Sequence, residues 1–317
     1  MKKKKLKLKK KPFFILLGII FLALISFIGV RGYNDYRYRQ SIEYQLSLRG
    51  YSLEEIAILE EKLTEDILLG LVNTKKNNDL IALVREQYFM AKNMDRYLEF
   101  KDANRTKSNT DIVAIINVNA DRYWYLEATE TDISKEFGML VNRFNFLAED
   151  FRPNDIVRIP LQYAYEGHHI REGVLDAFID MWRITNDLGL RMVIDFSFRS
   201  FEEQKNRYDA LLDLHGRRRA DELMVRPGFS EQQSGLALGI VRFNTPTAEF
   251  EETEEFAWLK ENAHKYGFIL RYPKGKEHIT GFRYESSHWR FLGRELATKV
   301  YESGITFDEY YAFYLAG

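Results

Sequence analysis

Arg226-Pro-Gly-Phe-Ser-Glu-Gln-Gln-Ser-Gly-Leu-Ala-Leu-Gly239 and Gly275-Lys-Glu-His-Ile-Thr-Gly-Phe-Arg-Tyr-Glu-Ser-Ser-His-Trp-Arg-Phe-Leu-Gly293 are the two stretches from which this chain is best read. The first is a turn leading into a strand, with Leu236 to Phe243 as its extended part. The second runs from a loop into a strand over His288 to Leu292, and it sets Glu285 three residues before His288. An acid and an imidazole so spaced can face one cavity, where one binds metal and the other moves protons. Alone, Glu-x-x-His is a common pattern, and a surface glutamate beside a structural histidine is the competing reading.

Outward from these segments, Met192 to Phe196 and Phe268 to Tyr272 read as further short strands, as does the β-rich run Ile112 to Val118. Glu172 to Leu188 has helical spacing through Val174, Phe178, Met181 and Trp182, and Phe256 to Tyr266 reads as another helix. Helices and strands mixed without strict alternation predict an α+β domain. Upstream, Ala103 to Thr110 is polar and reads as a linker. Before it, Ile56, Leu59, Leu63, Ile67 and Leu71 form one apolar helix face behind a capping box of Ser52 and Glu55. Asp79 is the expected cap of a second helix carrying Leu80, Leu83, Val84 and Tyr88. Residues 50–102 thus read as a small helical module, a spacer or a docking element, and residues 32–50 as a polar juxtamembrane stretch.

The N-terminus has a different texture. Residues 1–11 hold eight lysines and no acid, and Phe13 to Val30 is an uncharged apolar run of eighteen residues. As a helix that run spans about 27 Å, close to the hydrocarbon thickness of a bilayer. Signal-peptide cores are shorter, about 7–15 residues, so an uncleaved anchor is expected. The lysine block should stay cytoplasmic and the C-terminal body should lie outside. Tyr33, Tyr36 and Tyr38 fit the outer interface.

The whole chain of 317 residues has a formal net charge of −1; without the eight tail lysines the remainder stands at −9, which argues against nucleic acid as a partner. Hydrophobic residues make up 45%, enough for a core. The absence of cysteine excludes disulfides, thiolate–metal sites and a thiol nucleophile. Among the six histidines no pair has the H-E-x-x-H spacing, and His168-His169 beside Gly167 reads as turn surface. Neither a phosphate-binding glycine loop nor a G-x-S-x-G elbow occurs.

Over about residues 112–300 the chain resembles the VanY-type D-alanyl-D-alanine carboxypeptidases, zinc peptidases that trim peptidoglycan stem peptides. The resemblance runs through Leu140-Val-Asn-Arg-Phe-Asn-Phe-Leu147 with Pro153-Asn-Asp-Ile-Val157, and through Asp195-Phe-Ser-Phe-Arg-Ser200 with Gln204, similar to the family's S-G-Y-R-S…Q. It continues through Arg226-Pro-Gly228 and the run from Trp258-Leu to Tyr266-Gly-Phe-Ile-Leu-Arg-Tyr-Pro273. The family's zinc site lies in S-x-H-x-x-G-x-x-x-D and in E-P-W-H. Ser230 and Gly235 match the first motif, but Gln232 stands at the histidine and Gly239 at the aspartate. His288 matches the distant ligand and Glu285 the catalytic base, with Ser286-Ser287 in place of Pro-Trp. Arg199 matches the arginine that anchors substrate and oxyanion; Ser230 and Gln204 join it as substrate-binding candidates.

A catalytic zinc needs three protein ligands, and two are missing. The expectation is therefore a protein without zinc or another cofactor, binding stem peptides or a cell-wall protein rather than cleaving them. The alternative is a working zinc D,D-carboxypeptidase, with Glu285 as base and Arg199 on the oxyanion. A purely structural envelope module is a third. Changing Gln232 to His and Gly239 to Asp together is expected to restore zinc affinity. The expected order is a cytoplasmic tail (1–12), a single-pass membrane anchor (13–30), a juxtamembrane and helical module (31–110) and an extracytoplasmic carboxypeptidase-like domain (111–317) of mixed helix and antiparallel sheet.

Overall fold

The computed structural model describes residues 10–316, with side chains from Ile15, so most of the lysine block lies outside the described residues. Two compact units divide between Met94 and Asp95.

In the first unit, α1 (Lys10–Arg39) leaves its large apolar side chains from Ile15 onward exposed. Among the described residues it is the helix long and apolar enough to cross a membrane, a test that an N-terminal signal sequence also meets. The polar juxtamembrane stretch read over residues 32–50 is largely helical: α1 continues to Arg39, and Ser41 caps α2 (Ile42–Leu48). Then come α3 (Leu53–Lys62), α4 (Glu65–Leu71) and α5 (Asn78–Val84). The Ser52–Glu55 capping box forms on α3. Asp79 is not the cap of α5; Asn77 is, accepting from the amides of Asp79 and Leu80. Leu46, Ile56, Leu59, Leu80 and Leu83 are buried.

The boundary falls at the first residue of α6 (Met94–Ala103), and the second unit continues with α7 (Asn109–Asn117). The latter corrects the strand expected over Ile112 to Val118. Ile112 through Ile116 are all buried, and a run buried on every side has no periodicity by which a helix can be told from a strand. The deciding signal is local: Ser108 caps the helix by accepting from the Asp111 amide.

Two short pairs follow, β1 (Thr129–Glu130) with β2 (Asn145–Phe146) and β3 (Ile156–Arg158) with β4 (His169–Arg171). Beyond α8 (Glu172–Asp187) the chain builds a four-stranded sheet from β5 (Met192–Phe196), β6 (Ala237–Arg242), β7 (Phe268–Tyr272) and β8 (Glu285–Phe291). The strand order is β5-β6-β8-β7 and every pair is antiparallel. Helix α9 (Phe201–Leu223) lies between β5 and β6, and α10 (Glu254–Asn262) between β6 and β7. Helices α11 (Glu277–Thr280), α12 (Arg294–Ser303) and α13 (Phe307–Tyr310) follow.

Side chains alternate across a strand, and here the alternation separates core from site. Trp289 and Phe291 of β8, with Leu238 and Ile240 of β6, enter the main core beside Phe178 and Met181 of α8 and Phe256 and Leu259 of α10. His288 and Arg290 point to the opposite face, paired in register with Gly239 and Ala237.

Candidate functional site

On that second face lies a cleft of about 620 Å³ whose walls include Arg199, Gln204, Ser230, Gln232, Glu285 and His288. All six side chains proposed from sequence to line a site are therefore brought together. Gly239 lies in the strand beneath them, level with Phe196 on one side and His288 on the other.

His288 is held by its neighbours. Its Nδ1 is 2.8 Å from Glu285 Oε2, and its Nε2 is 3.6 Å from Glu231 Oε2. Phe196 and Tyr272 meet the imidazole edge-on from 5.0 and 4.7 Å. Burial would push the His288 pKa down, but the Glu231 and Glu285 carboxylates outweigh it and raise it above the ordinary value. Glu231 is fully buried and bonds to Arg271 and Arg290. Burial raises its pKa, and the two arginines with His288 overcome that and hold it well below the usual range.

Arg199 follows the end of β5, just before the Ser200 cap that starts α9. Its Nη1 donates to Gln204 Oε1 at 2.9 Å, and Gln204 is fixed in turn by donating to Val225 O at 2.7 Å. No carboxylate among the described residues lies within ion-pair distance of Arg199. Glu203, which acts on it electrostatically, has its carboxylate engaged at Ser200. Burial, aided by the like charge of Arg207, lowers the Arg199 pKa to about 10. It remains a cation at neutral pH, and its positive charge lines a cleft. Ser230 caps the turn that carries Gln232, its Oγ accepting from the Gln232 amide at 3.3 Å.

The donor set does not fit a zinc ion. Gln232 offers a neutral amide, a poor partner for zinc, and Gly239 offers no side chain. His288 is engaged at Nδ1 by Glu285. Among the described residues no three His, Asp, Glu or Cys side chains converge to hold a metal. The other five histidines are elsewhere: His278 faces Asp111, His264 stacks on Tyr301, His168 bonds to Ser197, and His169 and His215 are exposed.

Some of the cleft lay outside the sequence expectation. Arg143, the arginine of Leu-Val-Asn-Arg, stacks at 3.8 Å on Trp124 and at 4.9 Å on Phe282, forming an aromatic wall. Phe196 was readable, since it stands where the family's S-G-Y-R-S has serine. Glu231 carried a fainter signal, as an acid within the quoted turn.

The D-alanyl-D-alanine carboxypeptidase family model matches residues 167–294. YodJ of Bacillus subtilis is 34% identical over 182 residues, 54% of this chain and 66% of that protein, so the match spans slightly less than two thirds of the relative. A D-alanyl-D-alanine carboxypeptidase of Enterococcus faecalis is 28% identical over 218 residues, 66% of this chain and 76% of the relative. Among solved structures, the LdcB LD-carboxypeptidase, whose structure is described as revealing the basis of peptidoglycan recognition, aligns with a TM-score of 0.56 at 31% identity. That alignment covers 59% of this chain and 90% of LdcB.

Proposed function

Because the chain belongs to the VanY-type D-alanyl-D-alanine carboxypeptidase family, we propose that it uses the family's cleft to bind peptidoglycan stem peptides and does not hydrolyse them. The observation that carries this reading is Arg199: a half-buried guanidinium with no carboxylate within ion-pair distance among the described residues, lining a cleft whose donors do not suit zinc. An anionic peptide terminus supplies the missing countercharge. A guanidinium grips a carboxylate through two parallel hydrogen bonds, a geometry that lysine cannot copy.

Hydrolysis is a different matter. Glu285 and His288 can hold and pass a proton across their 2.8 Å contact. General-base help contributes about 10²–10⁴-fold, far below what amide cleavage by neutral water demands. In this reading α1 anchors the protein in the membrane, the lysine tail stays in the cytoplasm and the cleft faces the wall.

The test is calorimetry of the full-length chain in detergent with a peptide ending in D-Ala-D-Ala. Arg199→Lys is expected to weaken binding more than tenfold, about 1.4 kcal/mol, and no release of D-alanine is expected from stem tetra- or pentapeptides. Absence of binding by the parent protein removes the proposal. Chelator-sensitive release of D-alanine replaces it with an active zinc carboxypeptidase.

A further inference from the structure

Gly239 is more than an absent ligand. A Cβ built on it would sit 2.6 Å from Phe196 Cε1, with Phe196 Cδ1 and Asp195 Oδ1 nearer still. Real Cβ contacts are not that close, so no residue larger than glycine fits while those two side chains stay in place. The cause lies in the register. Phe196, Gly239 and His288 are level across β5, β6 and β8, and directly opposed residues share one face. The Phe196 ring lies over Gly239 and meets the His288 imidazole at 5.0 Å. Asp195 accompanies it through the irregularity that interrupts the β5–β6 register between Ile194 and Phe196. One carboxylate oxygen of Asp195 accepts from Thr247 at 3.3 Å; the other is buried over the glycine without a hydrogen-bond partner among the described residues.

We infer that Phe196 and Asp195 occupy the root of the family's metal site, so that the loss of the metal is locked by packing and not only by the two missing ligands. Reinstating the ligands at 232 and 239 alone then fails, contrary to the expectation from sequence. The aspartate side chain would have to displace Phe196 and Asp195 before reaching any metal. This inference goes beyond the peptide-binding reading and is independent of Arg199, so zinc uptake tests it separately from peptide affinity.

The experiment measures zinc per chain after dialysis of the full-length protein in detergent. Gln232→His/Gly239→Asp is expected to retain no zinc. Adding Phe196→Ser and Asp195→Ala to that pair is expected to give one zinc per chain. Stoichiometric zinc in the two-fold variant overturns the inference, as does a folded four-fold variant that retains none. A thermal cycle decides the matter if the four-fold variant does not fold. Gly239→Ala should lower the unfolding midpoint in the parent background and have little effect when Phe196 is Ser and Asp195 is Ala. Equal lowering in both backgrounds overturns the inference.

Discussion

Glu231 lines the cleft and ties it to the body of the domain. It is buried between Arg271 Nε at 2.7 Å and Arg290 Nη1 at 2.8 Å. Arg271 also pairs with Asp308, which accepts from Asn142 at 2.8 Å, while Arg290 donates to the carbonyls of Phe137 and Met139. Two buried cations are thus matched by two buried acids. Removing one member strands its partners, so Glu231→Gln is expected to cost about 3–5 kcal/mol in urea unfolding at neutral pH. The pH dependence follows from the direction of the shift. The folded carboxyl lies below its ordinary value of 4.5, so its stabilisation is complete above that value and is lost as pH falls below it. The stability gap between parent and Glu231→Gln should therefore narrow below pH 4.5. A gap that stays constant into acid would contradict the assignment.

At the scale of elements, β8 divides the domain: alternate residues commit Trp289 and Phe291 to the core and turn His288 and Arg290 to the opposite face, where His288 lines the cleft. Its register against β7 depends on the turn before β7. There the short 3₁₀ turn Ala263–Tyr266 ends at Gly267 with φ +95°, which L side chains rarely adopt. A Cβ at that position would also meet Phe291 Cε2 at 2.6 Å and the Gly293 carbonyl carbon at 3.1 Å. Gly267→Ala carries both backbone strain and a clash, and should cost more than about 1 kcal/mol. The measurement is the denaturant midpoint, with Gly275→Ala as a control: its φ of +81° imposes similar strain, but its Cβ meets nothing within 4 Å. Equal losses would show that the contact with Phe291 contributes nothing.

For the whole molecule, the prediction concerns topology. Helix α1 has 30 residues, about 45 Å at 1.5 Å per residue, longer than a hydrocarbon core of about 30 Å. In a membrane-anchored protein the excess would place Tyr33, Tyr36 and Tyr38, all exposed, at the outer interface. If α1 is an anchor, the eight-lysine tail is expected to keep the N-terminus inside. Protease added to intact cells should degrade the C-terminal body and spare an epitope placed in the tail. A body that survives until lysis would reverse the orientation, and a mature protein lacking the tail would identify α1 as a cleaved signal.

Local signals carried much of this protein. The strands Met192–Phe196 and Phe268–Tyr272 form where their composition predicts, because β-branched and aromatic residues suit a packed pleat. The Ser52–Glu55 box caps α3 because both partners lie within one turn. The motifs around Arg199, Gln204, Ser230, Glu285 and His288 were sufficient to name the residues that line one cleft. What sequence could not settle depends on neighbours remote in the chain. The run from Ile112 to Ile116 is buried all round by such neighbours, which leaves no periodicity to tell its helix from a strand. Glu231 meets partners 40 and 59 residues away, a pairing set only when β6, β7 and β8 assemble. In the sequence, Gly239 is merely a missing ligand. The sheet register lays Asp195 and Phe196 over it and makes glycine a steric requirement, since side-chain volume is contested only once strands lie side by side.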